Sequence, residues 1–475
     1  AQAANRPPTA PPASAASAST GSPSAWAPAA GASAQPCAGP LHPHADLGRG
    51  PPFIWHGHFW DGDFEAAYPL KRKDFEGVPI GGNSSHLIRF LRRLAAGLPT
   101  SVVVIGGSMT AGSGCSQKAM TGHRCAWPAR LEVWLRKAFP RSNLTFESHA
   151  RGGCSLAFFI GEVSHYVKAS TDMVVIDTLR NDWTFPWKQK GIGPSIALEA
   201  FIRLVHGIAP QAVIFNLFTG PSAARRELVP QLSKVSMFYN QPWLDFLTFN
   251  ARRGDEFDNY KKWSAHPPWT THQVIADVLA NAWGVLWMYA CSASTVNHTA
   301  EVYPAAGFAE QTFWPKSLVD EYEPCVQTLS RYAAHDNKTL TPTKISGDWA
   351  LYEDRPGKPG WIASEQGATI RFRVGVGAVP RLMVTYLKSY ESMGEATFTF
   401  RCSRVARGRL ATENFSVGID GHWGSRSSQA WTDMFWLHQT GCGGNQTLDF
   451  DVAVGGSRGR SHSSARHKFK LLSIS

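Results

Sequence analysis

The chain has 475 residues, 43% of them hydrophobic and 17% charged, with a formal net charge of +11 and a pI near 9.3. That balance is globular rather than disordered, and the length exceeds what one hydrophobic core fills, so two domains are expected. No run of 18 apolar residues occurs, which excludes a membrane-spanning helix in this chain.

Residues 1–50 are mostly Ala, Pro, Ser and Gly. Such a segment buries too little apolar surface to offset its ordering entropy. It reads as a flexible stem suited to O-glycosylation. The chain starts at Ala1-Gln2 rather than methionine. Either a signal peptide or membrane anchor has been removed, or a longer precursor extends upstream. The aromatics Phe53, Trp55, Phe59 and Trp60 mark the start of folded structure.

From there to about 335 helical and strand patterns alternate. Leu87–Leu98 carries Leu87, Phe90, Leu91 and Leu94 on one helical face. Four β-branched residues, Val102 to Ile105, predict a strand buried on both faces. The strand ends in Gly106-Gly107-Ser108, which sets a hydroxyl at the carboxyl edge of a parallel sheet, where open α/β folds hold their ligands. Trp127–Phe139 predicts a helix stopped by Pro140, Leu144–Ser148 a short strand, and Met173–Thr178 a buried strand. Ile196–Ile208 predicts a helix, Ala212–Phe218 a strand, and Thr270–Met288 a long apolar helix. The alternation predicts a doubly wound parallel sheet over residues 51–335. Residues 336–475 differ. Short alternating runs such as Thr369–Val374, Leu382–Leu387 and Ala396–Phe400 predict a β-sandwich or jelly roll, joined by a linker near Asn337–Pro342. Trp361, Trp423, Trp431 and Trp436 are either sugar-stacking platforms or core residues.

Eight cysteines and six Asn-x-Ser/Thr sequons favour the secretory pathway, outside the cell or in the Golgi lumen. The sequons are at Asn83, Asn143, Asn297, Asn337, Asn414 and Asn445. Proximity suggests bridges Cys115–Cys125, Cys291–Cys325 and Cys402–Cys442, leaving Cys37–Cys154 by elimination. No Cys/His cluster has zinc spacing. The basic residues Arg401, Arg404, Arg407 and Arg409, and those from Arg458 to Lys470, carry no nucleic-acid motif. They suit a solvated surface or an acidic polysaccharide better than nucleic acid.

Three further segments supply partners for Ser108. Arg151-Gly-Gly-Cys-Ser155 follows the strand at 144–148, and Gly153 lets a backbone N–H approach a ligand closely. Asp177-Thr-Leu-Arg-Asn-Asp182 ends the next strand and offers the Asn181 amide at the sheet edge. Ser264-Ala-His-Pro-Pro-Trp-Thr-Thr-His272 precedes the long helix, with His266 in the loop as a general base and His272 as a structural residue. In this order the four segments resemble the SGNH hydrolase superfamily, the GDSL-type esterases, over residues 85–290. The resemblance implies a flavodoxin-like three-layer α/β/α sandwich. It further implies Ser108 as nucleophile, an oxyanion hole from the N–H groups of Ser108 and Gly153 with the Asn181 side chain, and His266 as base. It calls for no metal or organic cofactor. Residues 336–475 resemble the β-sandwich appended to some members.

Two departures stand out. Gly107 replaces the usual Asp before the serine, and Trp263 occupies the position of the triad acid. An indole cannot accept from an imidazole, so Asp255, Asp258 or a backbone carbonyl must orient His266, the last giving a Ser–His dyad. The expected activity is removal of acetyl or another small acyl group from an acylated glycan. A glycan O-acetyltransferase using the same residues, and a glycan-binding or cell-wall protein with a decayed site, are the alternatives.

Overall fold

The computed structural model describes residues 80–184, 193–220, 227–251, 266–292, 311–320, 332–333, 341–354, 358–376, 380–406, 409–424, 426–437, 446–455 and 467–475. The stem, the linker near 337–342 up to residue 340, and the sequons Asn297, Asn337 and Asn445 lie outside them.

The first part runs β1 (Ile80–Gly81), α1 (Ser85–Ala95), β2 (Pro99–Gly106), the small hairpin β3 (Ser116–Gln117) and β4 (Met120–Thr121), α2 (Trp127–Ala138), β5 (Asn143–Ser148) and α3 (Leu156–Tyr166). It continues through β6 (Met173–Asp177), α4 (Leu179–Thr184), α5 (Pro194–Ile208), β7 (Val213–Phe218), α6 (Val229–Phe238), β8 (Trp243–Asp245), α7 (Phe246–Ala251), α8 (Trp269–Ser292) and α9 (Lys316–Asp320). The strands form one sheet in the order β1-β8-β7-β6-β2-β5. All neighbours from β8 to β5 are parallel, and only β1 is antiparallel. Chain order therefore reverses between β2 and β6, the flavodoxin-like switch point where the carboxyl ends of the strands open a crevice.

Side-chain alternation on β2 divides the core. Val103 and Ile105 pack with α3, α5 and α6, whereas Val102 and Val104 pack with α1, α2 and α8. Trp283 of α8 is fully buried and meets Phe90 and Phe215 edge-on at 6.2 and 5.4 Å. Deleting such a side chain costs about 3–5 kcal/mol.

The second part is an antiparallel sandwich. One sheet is β10 (Lys344–Ser346), β13 (Thr369–Val376), β18 (Gln446–Val454), β15 (Glu395–Ala406) and β16 (Arg409–Asp420). The other is β11 (Ala350–Tyr352), β12 (Gly360–Ala363), β19 (Phe469–Ile474), β14 (Arg381–Lys388) and β17 (Gln429–Trp436), with β9 (Tyr332–Ala333) also paired to β19. On β13, Ile370, Phe372, Val374 and Val376 point inward, while Arg371 and Arg373 face out and pair with Asp451 and Asp449. Arg401, one of the basic residues noted in the sequence, also pairs with Asp451 across the strands. Trp431 belongs to the sandwich core and Trp361 and Trp423 pack against it, while the Arg381 guanidinium stacks on Trp436.

The sandwich docks on the α/β part through its other face. Met383, Leu387, Ala430 and Leu472 join the core cluster built on α3 and α5. Gly161 of α3 permits this approach, since a Cβ there would stand 2.5 Å from Ser475 Oγ.

Cys115 and Cys125 are bridged, and Cys402 is disulfide-bonded as well. Cys154 overturns the Cys37–Cys154 pairing. It is a free thiol buried at the start of α3, and desolvation pushes its pKa up to about 12. Cys154 is left as a free thiol packed among the side chains at the start of α3, and Cys37 lies outside the described residues. The Cys291–Cys325 pairing involves side chains outside the described residues. Asn143 and Asn414 are exposed, while Asn83 Oδ1 accepts from the Ser85 N–H at 2.9 Å.

Candidate active site

The site is built where β2, β5 and β6 end. Beyond Gly106 the chain turns tightly. The Gly107 N–H donates to Asp177 O at 3.2 Å, and the Ser113 N–H returns to Ser108 O at 2.9 Å. Ser108 is half-buried at this turn. Gly107 is glycine for a local reason. A Cβ there would lie 1.9 Å from Asn181 Oδ1, so the usual Asp cannot be accommodated while Asn181 holds its position. Glycine at 107 thus follows from close packing between the serine turn and α4.

The next segment closes from the other side. A Cβ on Gly152 would stand 3.8 Å from Ser108 Cβ, which makes the two residues direct neighbours. Gly153 has φ +78°, a conformation that costs an L-residue about 1–2 kcal/mol, and a Cβ there would meet Ser428 O at 2.9 Å. Among the described residues, neither the Ser108 nor the Gly153 backbone N–H has an acceptor. Two backbone donors without an acceptor thus lie on the serine turn and on the Gly152-Gly153 segment beside it, and the buried Asn181 packs against Gly107.

A buried carboxylate ties this frame together. Asp177 Oδ2 accepts from Thr110 Oγ1 at 2.7 Å and Trp127 Nε1 at 3.1 Å, and Oδ1 accepts from Thr219 Oγ1. One side chain thereby links the serine loop, α2 and the end of β7. Burial raises its pKa against these three donors. Asp182 accepts from the Leu156 N–H at 2.8 Å and Thr178 Oγ1 at 2.7 Å, and burial pushes it up to about 7. Sequence reasoning did not assign Thr110, Trp127, Thr219 or either carboxylate a part in the site. A lone Asp at a strand end carries no signature that separates it from a turn residue.

His266 arrives from the loop before α8. Its Cβ lies 3.1 Å from where a Gly114 Cβ would be, so it abuts the loop that leads out of Ser108. It stands at the exposed rim of the site. Desolvation first, then the charges of Arg180 and Lys358, hold its imidazole below the ordinary histidine value. Among the described residues, no hydrogen bond joins Ser108 Oγ to the His266 ring. Asp255, Asp258 and Trp263 lie outside the described residues. His272 is fully buried in the first turn of α8, and the Trp127 N–H donates to its Nδ1 at 3.3 Å. Desolvation lowers its pKa to about 3, so it is a neutral core residue. Among the described residues no group of three or more His, Cys, Asp or Glu is arranged to hold a metal ion.

Two solved structures share this architecture. A two-domain esterase (CEX) active on acetylated mannans aligns over 83% of this chain and 95% of its own, at 17% identity and TM-score 0.55. The same esterase co-crystallized with mannopentaose aligns over the same shares at 17% identity and TM-score 0.52. The acetyl xylan esterase AlAXEase aligns over 38% of this chain and 98% of its own, at 15% identity and TM-score 0.31. No family model and no curated protein matches the chain. The fold is that of an esterase hydrolase with a second, all-β domain.

Proposed function

We propose that this protein is a serine esterase that removes acetyl groups from a glycan. The observation that carries the reading is the pair of unused backbone N–H groups, on Ser108 and Gly153, beside a half-buried serine hydroxyl and the Asn181 amide. Buried backbone donors without a protein acceptor are uncommon, and an oxyanion hole is built from such donors. The shared architecture supports the same reading, since the esterase aligned over most of the chain acts on acetylated mannans.

In this reaction Ser108 Oγ attacks the ester carbonyl and His266 takes its proton. The carbonyl π electrons move to oxygen, where the two N–H groups and Asn181 receive the charge. The tetrahedral intermediate collapses, the carbon–oxygen bond to the sugar breaks, His266 protonates the departing sugar oxygen to a hydroxyl, and an acetyl-Ser108 remains. Water, deprotonated by His266, then attacks the acetyl carbon; the Ser108 Oγ–carbon bond breaks, Oγ takes the proton back from His266, and acetate leaves. His266 must be neutral to begin, and its lowered pKa keeps it so. The residues that the sequence offers to orient the ring, Asp255 and Asp258, lie outside the described residues. The exposed sequons Asn143 and Asn414 and the Cys115–Cys125 bridge fit a secreted or Golgi-lumen enzyme.

Incubation with acetylated mannan tests this. Acetate release by the wild type, absent from Ser108→Ala, supports it. Transfer of acetyl to an added acceptor sugar in preference to water identifies an acyltransferase instead. Binding of the mannan without either reaction identifies a decayed site.

A further inference from the structure

One charged side chain at the site comes from the wrong part of the chain. Lys358 precedes β12 of the sandwich, yet its Nζ lies 3.0 Å from where a Gly153 Cβ would be. Its Cε lies 3.5 Å from the corresponding point on Gly152, the same point that Ser108 Cβ approaches at 3.8 Å. Lys358 and Ser108 therefore both border the same glycine, Gly152.

The lysine is held there by its own domain. Its Nζ donates to Ser428 O at 2.8 Å, and the carbonyl of Gly153 accepts from the Ala430 N–H at 3.0 Å two residues further on. Behind it, the fully buried Lys470 donates to Lys358 O and, at 2.5 Å, to Asp354 Oδ1, while Lys468 Nζ reaches Asp354 Oδ2 at 2.6 Å. Burial pushes the Asp354 carboxyl up, but the two lysines outweigh it and leave it below the usual range. An ionised carboxylate and a buried ammonium thus fix the backbone from which Lys358 extends.

We propose that Lys358 is a catalytic residue supplied by the β-sandwich: its ammonium stands beside the N–H groups of Ser108 and Gly153 and stabilises the negative charge that forms on the acyl oxygen. The inference rests on the serine-esterase reading. No proton moves to or from Lys358. It donates a hydrogen bond while the Ser108 Oγ–carbon bond forms, the carbonyl π pair shifts to oxygen and the serine proton passes to His266. The role makes the second domain part of the chemistry rather than a tether for substrate. The field of Lys358 also reaches His266, which Arg180 on α4 and His272 on α8 face as well.

The test uses the full chain and 4-nitrophenyl acetate, with Lys358→Gln, which keeps a donor for Ser428 O but no charge, and Lys358→Arg, which keeps the charge. Lys358→Gln is expected to lower kcat by about 10- to 100-fold with KM changed less than about threefold. Lys358→Arg is expected to recover most of that loss. The acid limb of kcat/KM should move to higher pH in Lys358→Gln, because a cation that disfavours imidazolium is gone. A kcat within about twofold of wild type in Lys358→Gln overturns the proposal. So does an equal loss in both variants together with a lowered melting temperature, which would make Lys358 a docking contact. If the wild type neither hydrolyses the ester nor reacts with a fluorophosphonate, the esterase reading itself fails and this inference falls with it.

Discussion

Gly107→Ala isolates the Asn181 amide. The added methyl carbon would stand 1.9 Å from Asn181 Oδ1 and 3.0 Å from its Cγ. Ordinary carbon–oxygen contact needs well over 3 Å, so the amide must withdraw by more than an ångström. A shift of that size takes a donor out of hydrogen-bond reach of a developing oxyanion. Losing one such donor costs about 10²–10³ in kcat, or about 3–4 kcal/mol. Stability should change far less. Alanine lowers the entropy of the unfolded chain by a few tenths to about 1 kcal/mol, against overpacking of about 1–3 kcal/mol. Steady-state hydrolysis of acetylated mannan, alongside thermal unfolding, separates the two effects. The expected result is a folded variant with KM near wild type and kcat reduced about a hundredfold or more. Gly107→Asp, the family's usual residue, should fall in the same direction. A folded Gly107→Ala with kcat within about threefold of wild type would remove Asn181 from the reaction.

The two histidines should behave oppositely. His266→Ala is expected to lower kcat/KM by about 10²–10⁴-fold with an unchanged denaturation midpoint. His272→Ala, which deletes a buried acceptor for the Trp127 N–H, is expected to cost about 2–4 kcal/mol in a urea titration. The pH–rate profile should keep its acid limb below the ordinary histidine value, because desolvation, Arg180 and Lys358 disfavour imidazolium; Arg180→Met should move the limb upward. Asp182→Asn tests the buried carboxyl. The Asp182 pKa is raised on folding from 3.8 to about 7, so its favourable contribution is complete below 3.8 and is lost as pH rises through about 7. Asp182→Asn should therefore gain stability relative to wild type between pH 5 and pH 9, measured by chemical denaturation.

The sheet was legible because its central strands are continuous apolar runs, Val102–Ile105, Met173–Ile176 and Val213–Phe218, buried on both faces. Trp243–Asp245 was not, since three residues carry too little pattern to separate a strand from a turn. α3 was also invisible. Leu156 to Val163 are buried all round, so no polar stripe marks its period. The order of Ser108, Gly153, Asn181 and His266 along the chain was readable from short motifs. The reason for Gly107 was not, because it depends on the Asn181 side chain, far along the chain. Lys358 shows the same difficulty more strongly. Nothing in Lys358-Pro-Gly-Trp sets it apart from a surface loop, and only docking of the sandwich on α3 brings it to Gly153. The free state of Cys154 was not legible either, since which cysteines meet is a tertiary fact that an even count does not decide.

The most direct test of the central idea is covalent labelling of the full chain with a fluorophosphonate, followed by mass spectrometry of the modified peptide. The account predicts one adduct, on Ser108, that disappears in Ser108→Ala and forms far more slowly in His266→Ala. An unlabelled protein, or an adduct that persists in Ser108→Ala, would contradict it.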